Sequence, residues 1–144
     1  MKISSPSFKH NEKIPKKYTC QGEDISPPLK FEDVPNDAKS LVLIMDDPDA
    51  PKETFVHWVM FDIPVDKNEL IEDSSFGKQG INSSGQIGYM GPCPPSGMHR
   101  YFFKLYALDI ILNLKKDSEK KDLEEIMKGH ILAQAEMIGL CSKD

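Results

Sequence analysis

Two histidines, one tyrosine, two aspartates and one cysteine carry the chemistry that this sequence offers. His99 and Tyr101 stand two apart at the start of a strand-like run over 99–109. Residues two apart in a strand point to one side, so an imidazole and a phenol share a face. Immediately before them, residues 91–97 read Gly-Pro-Cys-Pro-Pro-Ser-Gly, three prolines and two glycines in seven positions. Proline fixes φ and has no N–H, while glycine reaches backbone shapes closed to other residues. The loop is therefore stiff and bent. Its amides between Gly91 and Ser96 are expected to face a ligand rather than a sheet.

A second stretch forms the other half. The apolar run Leu41-Val-Leu-Ile-Met45 ends in Asp46-Asp-Pro-Asp-Ala-Pro51, and Phe55-Val-His-Trp-Val-Met-Phe61 resumes strand composition. A short apolar run bounded by turn residues reads as a buried strand. Asp47 and Asp49 thus sit where a core strand runs out into a proline-braced turn, and His57 lies inside the next strand. Imidazoles that titrate near neutrality become cationic donors when an anion arrives, and a phenol hydroxyl donates as well. One carboxylate can accept an imidazole N–H and fix its tautomer; the other can face an ammonium group. Such a set suits phosphate, a phosphorylated headgroup such as phosphoethanolamine, acetate or sulfate.

Each residue also has a plainer reading. Asp beside Pro commonly forms turns by bonding its own backbone. A histidine within an apolar strand is often a satisfied core residue, and a tyrosine often packs with its hydroxyl bonded. Trp58 alternates with His57 and is expected in the core, and His10 and His130 are expected to be structural. Cys93, set among prolines near two imidazoles, raises the alternative of a hydrolase using Cys93 with His57 or His99. No oxyanion hole is readable beside it, so no catalytic residue is assigned.

Strands at 1–4, 29–31, 40–46, 55–63 and 99–109 must position these groups. The last of these places Tyr101, Phe103, Leu105 and Ala107 on one face and reads as central and covered on both sides. Residues 74–90 are too rich in Gly and Ser for a helix and predict an irregular, extended connection. Asp117 or Ser118 can cap a helix carrying Leu123, Ile126 and Met127, which Gly129 stops. Ile131, Leu132, Ala135 and Ile138 predict a second short helix with one apolar face. Strands followed by helices suggest a mainly β sandwich with helices at one end.

The chain has 144 residues, and its size predicts one domain over 1–144 with a real core. Net charge is −5, which argues against nucleic-acid binding. No apolar run reaches the roughly 18 residues needed to span a bilayer, and the N-terminus has no apolar leader. The expected compartment is the cytoplasm, with no stable membrane insertion. Cys20, Cys93 and Cys141 are widely spaced with no CxxC pair. They read as three free thiols, with no metal site and no cofactor.

The motifs together resemble the phosphatidylethanolamine-binding protein family in its bacterial and archaeal, Raf kinase inhibitor-like form. Asp47-Pro-Asp-Ala-Pro51, His57-Trp58, Gly91-Pro-Cys-Pro-Pro95 and His99-Arg-Tyr101 stand in that family's order. Ile14–Cys20, Gly22–Leu29 and Gly129–Gly139 extend the likeness over nearly the whole chain. The resemblance implies a β-sandwich of two antiparallel sheets with Greek-key-like connections and short C-terminal helices. It implies a small-anion or phospho-headgroup cavity formed by Asp47, Asp49, His57, Gly91, Cys93, Pro95, His99 and Tyr101. It implies a regulatory role through binding, with a kinase or protease as protein partner and a homodimer as the assembly. It also implies a cis bond between Ala50 and Pro51, and another between Glu53 and Thr54. Eukaryotic members have a longer C-terminus over the cavity, so a more open pocket is expected here.

Overall fold

The computed structural model describes residues 1–143. Among the described residues nine strands form two sheets, and one α-helix stands outside them. The strands are β1 (Lys2–Ser4), β2 (Glu12–Lys13), β3 (Leu29–Glu32), β4 (Ser40–Asp47), β5 (Phe55–Ile63), β6 (Glu69–Leu70), β7 (Lys78–Gln79), β8 (Met98–Leu108) and β9 (Ile131–Ser142); the helix is α1 (Lys120–Met127). The smaller sheet runs β1-β3-β6 and the larger β2-β9-β8-β4-β5-β7. All pairs are antiparallel except β2 with β9, which is parallel and departs from the purely antiparallel expectation.

The apolar run in β4 is explained by burial on both faces. Leu41, Leu43 and Met45 join the core between the sheets, with Trp58, Met60, Phe103 and Leu105 and with Leu29 and Phe31 from the small sheet. Val42 and Ile44 face the other way and pack with Val59 and Phe61 under Leu123 and Met127 of α1. Strand β8 follows the expected alternation, with Tyr101, Phe103, Leu105 and Ala107 buried. Its other face is only half covered: Phe102 lies beneath the Arg100 and Lys104 cations, at 5.3 and 5.6 Å from the ring centre.

The C-terminal segment corrects the sequence reading. The residues expected to form a second helix are strand β9, whose ladder with β8 runs from Met98↔Ser142 to Leu108↔Ile131. The small and apolar residues of 131–141 fit period two as well as period 3.6. A long unpaired edge on β8 decides between them, since each strand residue added there gains ladder hydrogen bonds and packing. Gly139 is needed in this strand because a Cβ there would stand 2.5 Å from Ile14 Cγ1 and 2.9 Å from Phe8 Cε2. The helix that does form is capped by Glu119, not by Asp117 or Ser118. Glu119 and Asp122 make a reciprocal capping box.

Candidate functional site

Strand alternation delivers three of the four polar groups. Asp47 continues the core-facing set of β4, and His99 and Tyr101 continue that of β8. His57 arrives by another route. Met45 pairs with Trp58, but Asp46 pairs with Val56, so His57 is an extra residue opposite no partner. Such a bulge re-aims a side chain out of simple alternation. Trp58 thereby stays in the core while its neighbour His57 also turns toward Tyr101. The two rings meet edge to face, with centres 5.2 Å apart. His99 and Tyr101 stack at 6.5 Å and 25°.

These four side chains converge on one cavity of about 140 Å³. Ala50, Pro51 and Phe55 form one wall, and Met90, Cys93, Pro94 and Pro95 form the rim. A water molecule's share of liquid is about 30 Å³, so the space takes four or five water-sized groups. That volume is on the scale of a small polyatomic group.

The hydrogen bonds fix what the cavity presents. His57 Nδ1 donates to the Met90 carbonyl at 2.6 Å. A carbonyl can only accept, so the proton sits on Nδ1 and Nε2 is left for a ligand. His99 Nδ1 meets Asp47 Oδ2 at 2.7 Å, again leaving Nε2. The other Asp47 oxygen accepts the Asp49 N–H at 2.8 Å. Both oxygens of Asp47 are thus engaged, which makes it an orienting group for His99 rather than a bare charge facing an anion. Burial holds the His57 pKa below its ordinary value, against the upward pull of the Met90 carbonyl, Asp47 and Asp24. Burial, followed by the charge of Asp47, pushes the Tyr101 phenol far up, so it stays a donor.

Several expectations are revised. Asp49 does not line the cavity. Arg100 grips it through Nε, Nη2 and the backbone N–H, each at 2.9 Å, and this pairing lowers its pKa to about 2. No cis peptide bond occurs among the described residues, so the bonds at Pro51 and Thr54 are trans. Asp47 needs no such turn, because it reaches the cavity as the last residue of β4. Gly91 lies behind the rim, where Asp24 Oδ1 accepts its N–H at 2.9 Å. A Cβ on Gly91 would stand 2.1 Å from that oxygen and 2.6 Å from the Tyr18 carbonyl. With Gly91 occupied and three prolines lacking N–H, the rim offers far fewer amides than the loop's length suggested.

The cysteines are the largest correction. Cys20 and Cys93 form a disulfide, with Cα atoms 5.5 Å apart across a separation of 73 residues. Cys141 is a buried thiol. The Cys93 sulfur therefore has no thiol to act as a nucleophile. The pairing is invisible to spacing rules because the fold alone brings segment 18–24 against the rim. Asp24, Phe55 and Met90 were likewise missed; an apolar wall and a carboxylate behind a loop leave no pattern in the chain. His10 and His130 are structural as expected, bonded to the Ile138 N–H and to Asp109. Among the described residues no cluster could hold a metal ion, and no helix is long and apolar enough to cross a membrane.

The structure is a two-sheet sandwich with a small imidazole- and phenol-lined cavity at its strand ends. The family model for phosphatidylethanolamine-binding protein matches residues 4–142. The chain belongs to that family, in its bacterial and archaeal branch. It is 51% identical to a UPF0098 protein of Methanothermobacter thermautotrophicus, covering 97% of each chain. It is 55% identical to another from Aquifex aeolicus, covering all of this chain and 90% of that one. Among solved structures it resembles a phosphatidylethanolamine-binding protein homologue, CT736 of Chlamydia trachomatis, at TM-score 0.96 and 45% identity, covering 99% and 97% of the two chains. It also resembles Escherichia coli YbcL, described as a member of the mammalian PEBP family, at TM-score 0.91 and 27% identity, covering 99% and 98%.

Proposed function

We propose that the cavity binds a small anion, either free phosphate or the phosphate of a headgroup such as phosphoethanolamine, and that the protein acts by this recognition rather than by turnover. The observation that carries the reading is the pair of locked imidazoles. His57 and His99 each hold Nδ1 against an acceptor, so each has only Nε2 to offer beside the Tyr101 hydroxyl. A neutral Nε2 accepts, while a protonated one donates and brings positive charge. The site therefore takes an anion together with protons. The family's name and the cavity's size point to the same ligand chemistry. The Cys93 disulfide speaks against a cysteine hydrolase. A regulatory role toward a kinase or protease, work in the cytoplasm and a homodimeric assembly go with this reading as its wider proposals.

Calorimetric titration with phosphate and with phosphoethanolamine tests it. Binding by the native chain, lost in His57→Ala and in His99→Ala while both variants keep a native melting transition, is the expected result. Unchanged affinity in both variants would place the ligand elsewhere.

A further inference from the structure

We infer that the Cys20–Cys93 disulfide is the clamp that shapes the anion cavity, so that anion affinity and the oxidation state of this pair are linked; this rests on the anion-binding reading. Cys93, Pro94 and Pro95 are rim residues of the cavity. The chain just before them is well anchored. The Tyr89 hydroxyl donates to the Tyr18 carbonyl at 2.7 Å, Gly91 N–H to Asp24 at 2.9 Å, and Cys20 N–H to the Pro92 carbonyl at 3.1 Å. The chain just after is anchored too, with Lys143 N–H on the Gly97 carbonyl at 3.3 Å.

Between these anchors the hold changes in kind. Among the described residues, no hydrogen bond involves residues 93–96. Pro94 and Pro95 have no N–H to give. Apart from the packing of the buried Pro94, the disulfide is what fixes this stretch over the cavity. Both cysteines are exposed, so a dithiol reductant can reach them.

The step balances as ordinary thiol–disulfide exchange. One thiolate of the dithiol attacks a protein sulfur; the Cys20–Cys93 bond breaks and the released sulfur takes a proton. The second thiol then displaces the other protein sulfur and closes the reductant's own disulfide. Two electrons and two protons pass to the protein pair. The rim at 93–96 then loses its covalent tie, while β4, β5 and β8 still carry Asp47, His57, His99 and Tyr101. Protein disulfides are rare in reducing compartments. In the cytoplasm expected from the sequence, the clamp would be under pressure to open.

Sulfate titration of the oxidised chain and of the same chain held in dithiothreitol tests the link, with Cys20→Ala/Cys93→Ala as an independent unclamped form. Sulfate should bind the reduced and double-variant forms at least about fivefold more weakly, the lower end of usual coupling between sites. By reciprocity, saturating sulfate should raise the dithiothreitol ratio needed for half reduction by the same factor. Equal affinity in oxidised and reduced chains would overturn the clamp and leave the anion site standing. No sulfate, phosphate or phosphoethanolamine binding by the oxidised chain would remove the anion site itself. If the double variant does not fold, the reduced native chain decides. If that too loses its near-UV circular dichroism, the disulfide is a staple of the whole fold and the inference of a local clamp fails.

Discussion

Anion binding should tighten as pH falls, and His57 should carry part of that dependence. Its ring is buried, and burial holds its pKa below the ordinary imidazole value. The free site is therefore largely neutral at that residue near pH 7, with Nδ1 donating to the Met90 carbonyl and Nε2 unprotonated. An anion at Nε2 favours the charged ring and raises its pKa in the complex. The sign follows: affinity is weak and flat above the bound-state pKa, rises as pH falls through it, and levels off below the depressed free-state pKa. One proton taken up gives a tenfold gain per pH unit between those limits, about 1.4 kcal/mol. Asp47, Asp24 and Asp46 act on the ring by charge and assist protonation; Tyr101 stays a neutral donor throughout. Sulfate is the right probe because its own charge is constant from pH 8 to 5, whereas phosphate titrates in that range. Calorimetry in two buffers of different ionisation enthalpy counts the protons directly. The expected result is proton uptake on binding at the steepest point, reduced in His57→Gln. Sulfate affinity flat from pH 8 to 5 would mean that neutral donors carry the site, and the reasoning from the locked tautomers would be wrong.

Three further outcomes follow from contacts around the site. Gly91→Ala should destabilise the fold by about 1–3 kcal/mol and weaken sulfate binding, because its Cβ would meet Asp24 and the Tyr18 carbonyl; a denaturation midpoint equal to that of the native chain would contradict the close packing behind the rim. Asp49→Asn should cost about 1 kcal/mol or less at pH 7, as suits a partly exposed pair. Because pairing with Arg100 depresses the Asp49 pKa from 3.8 to about 2, its contribution is complete above the unfolded value and is lost as pH falls toward 2; melting curves of the two proteins should converge over that window, and a gap that persisted below it would argue against the ion pair. Asp46→Ala should cost about 3 kcal/mol, since this fully buried carboxylate accepts Lys104 and Lys120 at 3.2 and 2.9 Å; urea titration showing a loss under 1 kcal/mol would indicate that the lysines re-solvate without penalty.

Much of the fold was legible in the chain because burial leaves a periodic trace. The run 41–45 and the alternation of Tyr101, Phe103, Leu105 and Ala107 located the two central strands to within a residue or two of Ser40–Asp47 and Met98–Leu108. Gly129 ended the helix as expected, at φ 79°. His99 and Tyr101 were placed together by spacing alone, since strand geometry is local. The order of motifs along the chain marks the family.

What remained hidden depended on contacts between distant segments. Residues 131–141 have no preference strong enough to choose helix or strand; the open edge of β8 chose for them. His57 reaches the cavity through a bulge that exists only in the register of β5 against β4, and no single-strand pattern encodes a register. Arg100 and Asp49 are separated by 51 residues, so the removal of Asp49 from the cavity could not be read from the turn that holds it. The Cys20–Cys93 bond spans 73 residues and forms because segment 18–24 packs behind the rim. The sequence by itself determined which groups could do chemistry and which strands would carry them. The tertiary structure decided which of those groups face the cavity, because facing depends on register and on partners far along the chain.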